Sequence, residues 1–150
     1  MKNLTHKVKL ECFDDDDEMT VSRSFTMSAI DLLQDVHEQG FDVRDLLESE
    51  GILHIEYTDE GEYGMEVWNI RTSFIVGGIK SIVREAIEDL ICNGFLYENF
   101  DVDNSWDASV KSIEFEEEDS VLIDEFTNAI VSFLSDDGGY TDEDRRIVIA

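Results

Sequence analysis

The chain has 150 residues, of which 37 are Asp or Glu and 11 are Lys or Arg, giving a formal net charge of −26. This length predicts a single domain over residues 1–150, since one domain commonly has ~100–200 residues. Hydrophobic residues make up 42% of the chain, which argues against a disordered polyelectrolyte. The charge disfavours direct binding to nucleic acid or to an anionic membrane surface, because both would repel it.

The sequence also predicts where the chain is found. No apolar run approaches the ~18 residues that a membrane span needs, and no apolar segment follows the early lysines as a secretory signal requires. Cys12 and Cys92 are interpreted as reduced thiols rather than as one long-loop disulfide. We therefore expect a cytoplasmic protein, in the host bacterial cytoplasm if its origin is viral.

The first predicted elements are a hairpin and a helix. Residues 6–13 and 19–26 alternate polar and apolar side chains around an acidic run, which predicts two strands joined by an acidic turn. Ser28 and Asp31 have the spacing of a capping pair, so a helix is predicted to begin there. Gly40 is placed to end that helix.

A second helix and a second hairpin follow. Asp42 is placed to cap a short helix over residues 43–49, which Gly51 ends. Residues 52–58 and 63–72 predict two further strands around another acidic turn.

The second half contains the strongest helical pattern. Apolar residues recur every three or four positions over 79–93, directly after Gly77-Gly78, and predict an amphipathic helix. Residues 108–115 alternate like a strand, a helix is predicted over about 120–135, and 145–149 is a candidate last strand. The fold class predicted is α+β: a mixed, mainly antiparallel sheet of two hairpins plus later strands, packed on about four helices.

No motif specifies a reaction, so we expect no enzyme, no cofactor and no metal site. The stretch that begins at Asp101 starts like a calcium loop but has Trp106 and Ser112 where Gly and Glu are required. Cys12 lies among acids that oppose thiolate formation. The three histidines show no ligand or triad spacing: His6, His37 and His54.

Four acidic segments supply the candidate partner-binding residues: one of them contains aromatic residues, and another, the turn 59–62, is flanked by Tyr57 and Tyr63. Aromatic anchors are typical of interface hot spots, although these rings would serve equally well in a core, and the turns would serve as ordinary solvated turns. The candidates are Asp14, Asp15, Asp16, Asp17 and Glu18; Asp59, Glu60 and Glu62; Tyr97, Glu98, Asp101, Asp103, Trp106 and Asp107; and Glu116, Glu117, Glu118 and Asp119.

The total charge is comparable to that of a short DNA duplex. At one charge per ~1.7 Å of duplex axis, this charge corresponds to about 44 Å of DNA, close to the roughly 38 Å diameter of a compact domain of this size. By charge and size, over the whole chain, the protein resembles small acidic DNA-mimic inhibitors. Many of these come from bacteriophages and occupy the DNA-binding grooves of host defence enzymes.

The resemblance implies an inhibitor of a basic nucleic-acid-binding protein or enzyme complex, such as a nuclease or a restriction or CRISPR component. Carboxylates would take the places of phosphates opposite Lys and Arg. Mimicry requires the acids to be concentrated on one face or extended across a homodimer. The alternatives are an acidic immunity protein or adaptor for one cationic partner, a halophile-type housekeeping protein, and an enzyme or cation binder.

Overall fold

The computed structural model describes residues 2–13, 16–58, 64–92, 107–137 and 145–150. These residues form six strands, four α-helices and one 3-10 turn. In chain order they are β1 (Asn3–Phe13), β2 (Glu18–Ser28), α1 (Ala29–Glu38), α2 (Val43–Ser49), β3 (Leu53–Thr58), β4 (Met65–Ile70), the 3-10 turn (Thr72–Phe74), α3 (Ile75–Cys92), β5 (Asp107–Phe115), α4 (Asp119–Asp137) and β6 (Arg145–Ile149). The fold is α+β, as the sequence predicted.

The first sheet has the strand order β2-β1-β5, and both of its strand pairs are antiparallel. A bulge shifts the register between β1 and β5 at Lys9 and Leu10. Alternate residues of β1 enter the core, because successive side chains of a strand point to opposite faces. The buried ones are Leu4, His6, Val8, Leu10 and Cys12.

The second sheet has the strand order β3-β4-β6. Strands β3 and β4 form the second predicted hairpin, and β6 pairs with β4 in parallel. The predicted last strand is therefore confirmed. The two predicted hairpins belong to two different sheets rather than to one.

The predicted helix caps are confirmed. The Ser28 hydroxyl oxygen accepts a hydrogen bond from the Asp31 backbone N–H at 3.3 Å, and the Asp42 carboxylate does the same for Asp45 at 3.3 Å. Gly40, which follows the end of α1, has a φ of 96°, the left-handed conformation that glycine adopts most easily.

Helix α3 begins at Ile75, four residues before its predicted start, so Gly77-Gly78 lies inside the helix rather than in front of it. Tertiary packing overrides the low helix propensity of these two glycines. A Cβ atom on Gly78 would lie 2.5 Å from the Ile52 side chain. The glycine therefore allows α3 to pack closely against the start of β3.

Trp68 of β4 joins the second sheet to two helices. Its side chain is fully buried, and the indole N–H donates to the Glu66 carboxylate at 2.9 Å. The guanidinium groups of Arg44 on α2 and Arg145 on β6 lie 4.8 and 4.7 Å from the ring centroid. Arg145 also donates to the Leu134 carbonyl of α4 at 2.9 Å.

One buried apolar cluster includes residues from both sheets and from all four of these helices. Among the described residues, none of the helices has the length and apolar character that crossing a membrane requires.

The cap of α1 gives a stability prediction. Replacing Ser28 with Ala removes the acceptor for the Asp31 N–H and should lower the free energy of unfolding by about 1 kcal/mol. Ser24→Ala, at an exposed position on the same strand, is the matched control and should change it by less than about 0.5 kcal/mol. Urea denaturation measures both, and equal midpoints for the two variants would contradict the capping role.

Candidate functional site

The negative charge is displayed at the surface of the described residues. Among the residues whose side-chain burial the structure describes, which excludes 136 and 137, no Asp or Glu side chain is buried. The half-buried ones are Glu11, Glu50, Glu66, Glu117 and Glu125. The core therefore contains almost none of the negative charge of these residues. Nearly all of this charge is available for contact with a partner.

The hairpin end of the first sheet brings together predicted site residues from two separate segments. Phe13, the last residue of β1, is paired with Glu18 on β2 and with Asp107 on β5. Directly opposite residues project from the same face, with Cβ atoms ~4.5–5.5 Å apart. We call Glu18, Phe13 and Asp107 the hairpin-end row.

Phe13 is 43% exposed and has a carboxylate residue on each side. Asp16 and Asp17 are exposed in the adjoining turn. An exposed aromatic ring between two acids can hold a cation over its face while the carboxylates accept hydrogen bonds from it. This arrangement suits the guanidinium group of an arginine.

The acids at the start of α4 lie at the opposite end of the first sheet. The Glu116 backbone N–H donates to the Thr5 carbonyl, and the Glu117 carboxylate accepts from the Thr5 N–H, both at 3.0 Å. Thr5 and Phe13 are roughly 26 Å apart at the usual rise of a strand. Glu118 and Asp119 are exposed beside them. The structure therefore does not bring this predicted group to the hairpin-end row.

Lysines occupy the outward face of the sheet between these two acidic ends. Lys7 lies 3.4 Å from the Glu116 carboxylate, and Lys111 lies 3.3 Å from the Glu11 carboxylate. Lys9, like Lys7, lies on the outward face of β1. Positive charge thus interrupts the acidic surface along the sheet.

The other predicted site residues lie outside the described residues, so the roles given to them stay predictions. They are Asp14, Asp15, Asp59, Glu60, Glu62, Tyr97, Glu98, Asp101, Asp103 and Trp106. Within the described ranges, no three His, Cys, Asp or Glu side chains come together in a way that could hold a metal ion.

His6 is a buried titratable group close to the acidic helix start. Its side chain is 3% exposed, and its ring stacks on Phe25 at 5.5 Å and lies 5.8 Å from Phe115. Burial lowers the pKa of His6, and the Glu117 carboxylate offsets part of this effect. The folded state therefore favours the neutral imidazole.

Comparisons with known protein families, with curated proteins and with solved structures found no match to this chain. A function for it is therefore inferred from its own residues and their geometry.

The lowered pKa of His6 predicts a pH effect on stability. The unfolded chain takes up the proton near pH 6.5 and the folded chain only at lower pH. The stability contributed by neutral His6 is therefore present above pH 6.5 and is lost as the pH falls through the folded value. Relative to His6→Leu, the wild type should lose up to about 1.4 kcal/mol per pH unit in that window.

Urea denaturation at several pH values between about 7.5 and 5 measures this difference. Ser24→Ala, which changes an exposed residue of β2 without a titratable group, is the control and should keep the wild-type pH dependence. Identical pH dependence of stability in the wild type and in His6→Leu would contradict the claim that the folded state favours neutral His6.

Proposed function

We propose that this protein is an acidic inhibitor that binds the basic nucleic-acid-binding site of a partner protein or enzyme complex. Its carboxylates take the positions that phosphates occupy in the complex with DNA. A host defence nuclease, or a restriction or CRISPR component, is the proposed class of target. The single observation that supports this most is the hairpin-end row, where two acids from separate segments flank an exposed ring.

The proposed contact is between this row and an arginine of the partner. Arginine is common in phosphate-binding sites because its planar guanidinium forms paired hydrogen bonds with anionic oxygens. Here Glu18 and Asp107 supply the oxygens, and Phe13 supplies a face on which the guanidinium stacks. A stacked cation contributes about 0.5–1 kcal/mol at an exposed site.

The remaining charge acts at longer range. A net charge of −26 attracts a basic surface from a distance, so association should be fast at low salt and slower as salt screens the charges. Because Lys7 and Lys9 interrupt the acids along the sheet, we propose a compact contact at the hairpin end. A strip along the whole sheet would place those lysines against the partner's cations.

Action in the cytoplasm, without catalysis or a cofactor, is part of the proposal. The free, buried thiol of Cys12 suits a reducing compartment.

The exposed ring of Phe13 also favours a second candidate, an acidic immunity protein or adaptor held to one cationic partner by an aromatic anchor as well as by charge. The two candidates rank the same variants differently. An adaptor should lose more affinity from Phe13→Ala than from neutralising Glu18 and Asp107. A DNA mimic should show the opposite ranking.

Displacement of DNA tests the proposed function. The immobilised chain is used to capture a partner from a bacterial lysate at low salt, and the purified partner is bound to a fluorescent DNA duplex. Addition of the free protein should release the duplex and lower its fluorescence anisotropy. The double variant Glu18→Gln/Asp107→Asn should need about tenfold more protein, since each exposed ion pair contributes up to ~1 kcal/mol.

The matched control is Glu56→Gln/Asp124→Asn, which removes the same charge from exposed positions on β3 and α4. It should behave nearly as the wild type does. A partner that binds the chain while it keeps its duplex would contradict the proposed inhibition. An equal loss of potency in duplex release for both double variants would contradict the role of the hairpin-end row.

A further inference from the structure

An apolar groove lies between α1, α3 and the inner face of the first sheet. It has a volume of about 180 Å³, and its walls include Met27, Leu32, Ile87 and Leu90. An apolar cavity of ~150 Å³ is large enough to bind benzene. The groove can therefore hold one aromatic ring or a short alkyl chain.

Three polar side chains also line this groove: His6, Asp35 and Gln39. The side-chain carbonyl oxygen of Gln39, Oε1, is buried and accepts no hydrogen bond from the part of the chain that the structure describes. A buried acceptor without a donor costs about 1–3 kcal/mol, and native proteins usually satisfy such groups with water or a ligand. The Gln39 side-chain oxygen can therefore accept a hydrogen bond from a ligand in the groove.

The rim of the groove carries negative charge. Burial, and then the carboxylates of Glu38 and Asp31 on the same helix, raise the pKa of Asp35. No Lys or Arg is among the described residues that line the groove. A positive charge placed beside Asp35 would relieve the repulsion among these three carboxylates.

We propose that the groove is a binding site for a small organic ammonium ion, with an apolar body about the size of one aromatic ring. The apolar body packs against Met27, Leu32 and Ile87. The ammonium group donates hydrogen bonds to the side-chain oxygen of Gln39 and to the Asp35 carboxylate. This site is separate from the hairpin-end row, and it does not depend on the proposed inhibitory function.

The probe for the test is benzylammonium chloride, titrated into the full chain at constant ionic strength. Methyl resonances of Met27, Leu32 and Ile87 should shift and saturate in the low millimolar range, as suits so small a ligand. Benzyl alcohol has the same shape without charge and should bind at least about fivefold more weakly. Benzoate should cause no shift.

Asp35→Asn should weaken benzylammonium binding at least about fivefold. Asp124→Asn removes the same charge from an exposed position on α4 and should leave binding unchanged. Ala86→Leu, which fills the groove, should abolish the shifts in a protein whose other methyl resonances stay in their wild-type positions. Shifts that do not saturate, or equal losses of affinity in the two Asp variants, would overturn the proposal because they indicate general attraction to an acidic surface. Equal binding of benzoate would also overturn it, because the site would then not select a positive charge.

Discussion

The many carboxylates of this chain must stay in contact with water while an apolar core forms beneath them, since a buried unpaired carboxylate costs several kcal/mol. The alternation of β1 meets this requirement by directing Leu4, Val8 and Leu10 inward and leaving Lys7 and Glu11 outside. The acids then repel one another across the surface, which lowers stability at low salt. The buried apolar cluster of the described residues, and the stacking of Arg44 and Arg145 on Trp68, oppose that repulsion.

Both proposed sites follow from this separation of charge and core. Phe13 is in the outward register of β1, so the strand pairing that buries Cys12 leaves the ring exposed between Glu18 and Asp107. The groove exists because β2 is an edge strand of the first sheet among the described residues. The inward side chains of β2, such as Met27, are only half-covered by the helices.

Local patterns predicted much of this fold. The strands, the Ser28 and Asp42 caps, and the fold class depend on residues near one another in sequence, and each is confirmed. The division of the hairpins between two sheets and the start of α3 depend on distant contacts, such as Gly78 against Ile52. The exposure of Phe13 could have been predicted from the sequence, since the alternation of β1 places it on the same polar face as Lys7 and Glu11. The prediction did not use this pattern. No sequence pattern indicates the groove, since its walls come from four separate elements.

Hydrogen exchange on the complex with a captured partner tests the central claim most directly. Binding through the hairpin-end row should slow exchange at the backbone amides near Phe13, Glu18 and Asp107, and excess DNA duplex should reverse this protection by competing for the partner. The second sheet should exchange as it does in the free protein. Protection confined to the second sheet, or protection that persists when the partner is saturated with duplex, would contradict the account.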